Sequence, residues 1–279
     1  MAEPPTEPAA EPAAEPLVLV EADGHVLTVM LNRPEKRNAT NAEVLCRLYD
    51  AWVRLDSDPS LRVGILTGKG STFCAGMDLA EIGRLREGAA DNEWIVRLRD
   101  EPQVIFGAWL KTFRPSKPVI LAAEGYARAG GTEILQGTDI RVAGESAVFG
   151  VTEVQRGLFP MAGSAVRLRR QIGYAVAAEM LLTGEDIPAA RAHELGLINH
   201  VVPDGQALTK AREIAERIAA NGPLAVAAIL KTLRETEAMP EADAFAIEGK
   251  LGMEVMTSND AAEGPRAFLE KRPPRFTGT

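Results

Sequence analysis

The sequence predicts an α/β fold, a mostly parallel sheet covered on both faces by helices and followed by a helical C-terminal region. Three observations carry that prediction. Short apolar runs bounded by turn residues recur through the first two thirds, each leading into a loop and then a helical pattern. That rhythm marks strand–loop–helix units whose strands are buried on both faces. Two of the loops are rich in glycine, and in the last third one-sided helical patterns replace the strand signals.

Taken in order, Leu17 to Glu21 and Val26 to Leu31 read as a β-hairpin turning at Asp23-Gly24. A helix is expected from about Asn41, with Val44, Leu45, Leu48, Trp52, Val53 and Leu55 on one face. Val63 to Thr67 reads as a buried strand that feeds the loop Gly68 to Gly76. Two helical stretches are expected between Leu79 and Trp109, then an apolar strand at Val119 to Ala123 before the loop Glu124 to Gly131. From Ala207 onward, Leu208, Ala211, Ile214, Ala215 and Ile218 share a helical face, and helical segments run to Glu270. The domain reading is therefore a core over residues 17–202 and a helical region over 203–279, packed on the core or on a neighbouring subunit. Ahead of both, Glu3, Glu7, Glu11 and Glu15 have helical spacing, but Pro4, Pro5, Pro8, Pro12 and Pro16 forbid a helix. Residues 1–16 are expected to be a disordered, solvated leader.

Composition narrows the function. The 279 residues are 46% hydrophobic and carry a net charge of −8, which disfavours nucleic acid as a partner. No apolar run approaches the ~18 residues of a membrane span. The leader has no basic residue or apolar stretch, so neither a secretory signal nor an Arg-rich transit peptide is expected. Cys46 and Cys74 make no disulfide framework, and with His25, His193 and His200 they fit no metal-ligand spacing. A cytoplasmic protein without a metal site is the expectation. Thr67-Gly68-Lys69-Gly70-Ser71 fails as a phosphate loop, with Val63 where glycine belongs and Gly70 where a hydroxyl should follow the lysine. No G-x-G-x-x-G follows a strand, and Ser164 sits in Gly163-Ser164-Ala165, outside any nucleophile elbow. Carboxylates and backbone amides remain as the routes to chemistry.

Two glycine-rich turns each follow an apolar strand and open a helix: Phe73 to Leu79, and Gly125 to Glu133. Such turns aim free amide donors at one spot with a helix dipole behind them, which suits a developing oxyanion. Glu133 and Glu153 follow, and a pair of glutamates beside such a hole is a general acid/base arrangement that needs no nucleophile. Asp78 and Asp139 read as structural, bonding loop amides. An acidic protein that binds an anion needs local cations, and Arg33, Lys36, Arg37, Lys271 and Arg272 are the candidates.

These stretches, in this order, resemble the crotonase, or enoyl-CoA hydratase/isomerase, superfamily. The matching residues run from Leu31-Asn32-Arg33-Pro34 through both turns, Ala147 to Glu153, Gly157 to Pro160 and Leu182-Thr183-Gly184, ending at Phe268 to Arg272. The resemblance implies a crotonase-like spiral of repeated β-β-α units, and a helical C-terminal region that assembles a homotrimer or a dimer of trimers. It implies an acyl-CoA thioester substrate, coenzyme A being part of the substrate and no separate cofactor being needed. Met77 and Gly130 would supply the oxyanion amides, and Glu133 and Glu153 match the two hydratase glutamates, favouring hydration or its reverse. Backbone from Ala75 through Gly76 and Asp78 to Leu79 would hold the coenzyme, with Lys271 near its phosphates. Two departures stand out: Ala80 replaces a lysine common in relatives, and Ala129 replaces the first glycine of a triplet, which is tolerable at negative φ. Other reactions on the same frame stay open: double-bond isomerisation, dehydration of a special hydroxyacyl-CoA, thioester hydrolysis, or acyl-CoA binding without catalysis. The acyl pocket walls are expected from Ile82 to Leu110 and from Phe159 to Gly163, while Arg128 could face either that pocket or solvent.

Overall fold

The computed structural model describes residues 15–89 and 92–279. The expected leader lies outside the described residues except for Glu15 and Pro16, and these two are anchored. Asn32 Nδ2 donates to the Pro16 carbonyl at 2.9 Å, and Lys69 pairs with Glu15 at 3.3 Å.

The chain opens with β1 (Val18–Asp23) and β2 (Val26–Leu31), paired antiparallel. Asp23 lies opposite Val26, so Gly24-His25 make the turn, one residue later than the expected Asp23-Gly24. Helix α1 (Ala42–Ser57) starts where Asn41 Oδ1 accepts the Val44 N–H at 3.0 Å. Its buried stripe includes Val44, Leu45, Leu48, Trp52 and Leu55, whereas Val53, expected on that face, is exposed. After β3 (Val63–Gly68) the described residues form three short helices where two were expected: α2 (Leu79–Arg86), α3 (Glu93–Asp100) and α4 (Gln103–Ala108). Pro102 begins the third, because its ring removes the donor that continuing α3 would need.

Then follow β4 (Val119–Ala123), β5 (Tyr126–Arg128) and the buried α5 (Gly130–Leu135). Next are β6 (Ile140–Gly144), β7 (Val148–Gly150), a single 3-10 turn over Glu153–Arg156, α6 (Ser164–Gln171) and α7 (Tyr174–Thr183). The chain continues through β8 (Ile187–Pro188), α8 (Ala189–Glu194), β9 (His200–Val202) and α9 (Ala207–Ala219). It ends in α10 (Pro223–Glu235), α11 (Glu241–Met256) and α12 (Asn259–Leu269).

The main sheet has the order β1-β2-β3-β4-β6-β9, parallel from β2 onward. Beside it runs a second, broken ladder: Thr40 bridges Met77, Cys74 bridges Ala127, and β5 pairs with β7. Long strands thus turn into short rungs of this ladder, as β4 does into β5 before α5, and the β-β-α unit repeats as a spiral. The period-two alternation of strand side chains sorts the main sheet's two faces. Val63, Ile65, Ile120, Ala122 and Val142 meet α9 through Ala207, Ala211, Ile214 and Ala215. Leu66, Leu121 and Ala143 face the larger cluster that contains Trp52 and Phe149. Helix α10 is tied to the core by Arg234, which pairs with Asp139 at 2.8 Å, while Asp139 also accepts the Val119 N–H at 2.9 Å.

Candidate active site

The two glycine-rich turns abut. Gly76 has φ of 93°, and a Cβ on it would lie 2.8 Å from Ala129 Cβ and 3.2 Å from Gly130 N. Gly130 is needed for space, since its Cβ would come within 2.5 Å of the Trp109 ring. Around these turns most amides are bonded: Ala75 N–H to Arg37 O (3.0 Å), Asp78 N–H to Thr40 O (2.8 Å), and Ala129 N–H to Gly150 O (2.8 Å). The Met77 and Gly130 N–H groups have no acceptor among the described residues, and both residues line one cleft of about 720 Å³. Ala129 departs from expectation. It lies at φ 50° and ψ −122°, because the chain must reverse between β5 and α5 while keeping the Ala129–Gly150 bond.

Two carboxyls reach the same cleft. Glu133 comes from the first turn of α5 and is buried; its Oε1 accepts the Ser164 N–H at the start of α6 at 3.1 Å. Burial raises its pKa, and the amides of Ser164, Ala162 and Gly163 oppose that rise. Glu153 opens the 3-10 turn after β7, with Oε2 buried and lacking a hydrogen-bond partner among the described residues. Burial first, and then the neighbouring Glu133 charge, push it up to about 7. Two carboxyls with diverging environments are the usual mark of an acid and a base.

Of the residues singled out from sequence, the cleft brings together Arg37, Ala75, Met77, Leu79, Gly130, Glu133 and Glu153. Arg33, Lys36, Gly76, Asp78 and Lys271 do not line it. Arg33 instead pairs with Asp78 at 2.9 Å, and Asp78 caps α2 through the Ala80 N–H. Lys36 and Lys271 are exposed, Lys271 just past the end of α12. The segments expected to wall an acyl pocket contribute Ile82, Leu85, Ile105 and Phe106, and Phe159, Met161 and Ala162, to the lining of this cleft. Trp109 and Thr152 were not singled out, and no local signal marks them. Arg128 faces the cleft, stacked on Tyr126 and paired with Asp186.

A spiral of β-β-α units with this cleft at the mouth of its two amide turns defines a family. The chain belongs to the enoyl-CoA hydratase/isomerase family, whose model matches residues 21–279. The enoyl-CoA hydratase EchA19 of Mycobacterium tuberculosis is 57% identical over 258 residues, covering 92% of this chain and 95% of that protein. The mevalonyl-coenzyme A hydratase sidH of Aspergillus fumigatus is 38% identical over 255 residues, covering 90% and 91%. In crystal form, enoyl-CoA hydratase EchA1 from Mycobacterium marinum superposes with a TM-score of 0.86 at 45% identity, covering 95% of this chain and 100% of that one.

Proposed function

We propose that this protein is an enoyl-CoA hydratase, adding water across the α,β double bond of an enoyl-CoA thioester or removing it in reverse. The observation that carries this reading is the meeting of Glu133 and Glu153 at one cleft with Met77 and Gly130, whose amides have no acceptor among the described residues. The thioester carbonyl sits between those two N–H groups. Glu133, whose pKa burial raises while the Ser164, Ala162 and Gly163 amides oppose that rise, orients a water and takes its proton as the oxygen attacks the β-carbon. Glu153, pushed up to about 7, gives its proton to the α-carbon as the enolate-like charge collapses out of the hole. No further cofactor is invoked.

Coenzyme A is held on the Ala75 to Leu79 side, with Arg37 among the cations that line the cleft and Lys271 reaching it from a neighbouring subunit. Assembly into a trimer or a pair of trimers is supported by apolar side chains left exposed on α10 to α12, among them Leu233, Phe245, Met256 and Phe268. The acidic composition and two unpaired, buried cysteines support a cytoplasmic location.

The test is direct. Enoyl-CoA thioesters of increasing chain length are supplied, and both the loss of the conjugated ultraviolet band and the mass gain of one water are followed. Turnover by the wild type and its collapse in Glu153→Gln support the reading. Tight binding of the thioesters with no conversion of any of them would overturn it.

A further inference from the structure

We propose that the Arg128–Asp186 ion pair is a clamp that holds the Ala129–Gly130 peptide in place, making both side chains positioning residues for the oxyanion donor at Gly130. The inference rests on the hydratase reading above. Its starting point is the backbone of Ala129, at φ 50° and ψ −122°, a region that suits glycine and that an L side chain resists. Such a conformation persists only when its surroundings over-determine it.

The surroundings do so from two sides. On one side, the Arg128 N–H donates to Cys74 O at 2.9 Å and its guanidinium stacks 4.3 Å from the Tyr126 ring centroid. Arg128 Nε then reaches both carboxylate oxygens of Asp186, at 2.8 and 3.1 Å, and Nη2 bonds Oδ2 as well. On the other side, Gly150 O accepts the Ala129 N–H at 2.8 Å, and Gly150 N–H donates to Thr132 Oγ1 at 3.0 Å. Asp186 lies directly over this acceptor residue, since a Cβ on Gly150 would come 2.1 Å from its Oδ1. One ion pair therefore spans both ends of the Ala129–Gly150 hydrogen bond. Its acid enters from the residue before β8, which pairs antiparallel with β7. The chelated geometry also explains why an arginine can face an acyl cleft: its charge is matched by Asp186 and it acts on the backbone.

The clamp matters because the strain and the oxyanion donor share one peptide. The Gly130 N–H belongs to the Ala129–Gly130 amide plane, so relaxation of Ala129 toward negative φ swings that N–H out of the cleft. Glycine at 129 would hold the plane without help. This predicts coupling between the clamp and residue 129.

The experiment compares Asp186→Asn and Arg128→Gln in two parents, the natural chain and Ala129→Gly, each referred to its own parent. The readouts are kcat and KM for hydration, and the ultraviolet red shift of bound cinnamoyl-CoA, which reports carbonyl polarisation without turnover. In the natural parent, either substitution is expected to lower kcat about tenfold with KM nearly unchanged, less than the ~10²–10³ for deleting an oxyanion donor, and to shrink the red shift. In the Ala129→Gly parent both losses are expected to fall to about twofold. Equal losses in the two parents, or no loss in either, overturn the clamp. If one variant fails to fold, the other carries the same comparison. A wild type that binds cinnamoyl-CoA with a red shift but hydrates nothing would overturn the hydratase reading while leaving the clamp measurable by the shift.

Discussion

Glu133 and Glu153 face the same cleft with unequal support: the Ser164 N–H holds Glu133 Oε1 at 3.1 Å, whereas the buried Glu153 Oε2 has no partner among the described residues. Replacing either by glutamine keeps its shape and removes its proton chemistry. Each of Glu133→Gln and Glu153→Gln is expected to lower kcat by about 10²–10⁴. The double variant should be little worse than the poorer single one, because the two act as a unit. Steady-state hydration kinetics decide it, and a fully additive double loss would refute the shared role.

The same asymmetry sets a pH dependence. If Glu153 is the proton donor, hydration needs its protonated form, so kcat/KM should decline as pH rises through about 7. Stability follows with a definite sign. A carboxyl whose folded-state pKa lies above its unfolded value of 4.5 contributes fully below 4.5 and loses that contribution as pH rises to about 7. Glu153→Gln escapes this loss, so its denaturation midpoint should gain on the wild type between those limits and stay level beyond them. A constant offset across the range would count against the raised pKa.

Trp109 leaves no room beside the second turn. Gly130→Ala places a methyl group 2.5 Å from the ring, so either the indole or the peptide must move. A displaced N–H is expected to cost about 10²-fold in kcat, and overpacking about 1–3 kcal/mol of stability. Near-normal turnover in this variant would argue that Gly130 does not present the donor.

Ala129 offers the opposite outcome for stability. Its positive φ costs about 1–3 kcal/mol, and glycine returns about 0.5–1 kcal/mol of that as unfolded-chain entropy. Ala129→Gly should therefore be stabilising by about 1 kcal/mol, a rise of roughly 2–4 °C in midpoint for a chain of this size. An unchanged or lower midpoint in a thermal melt would mean that the residue is unstrained.

The sheet was legible because its strands are continuous apolar runs, and Val63–Gly68 and Val119–Ala123 fall where those runs lie. The glutamates and both turns were legible through short stretches whose chemistry is local. What escaped was set by distant partners. Arg128 and Asp186 are 58 residues apart, and nothing beside either announces the other. Arg33 reads as a candidate cation for an anionic ligand, and nothing beside it announces its pairing with Asp78, which the bridge between Thr40 and Met77 brings up. Ser164 gave no sign because Gly163, at the start of α6, has no side chain to mark a cap. The positive φ of Ala129 runs against the default for alanine, and only the reversal between β5 and α5 demands it.

Both cysteines of the chain are sealed inside, Cys46 under α3 and Cys74 within the first turn, with burial pushing their thiols up to about 11 and 12. The exterior therefore presents no sulfhydryl to electrophiles. A single cysteine introduced at any chosen surface point would be the sole labelling handle, so dyes or spin probes could be placed at one address without stripping the native pair.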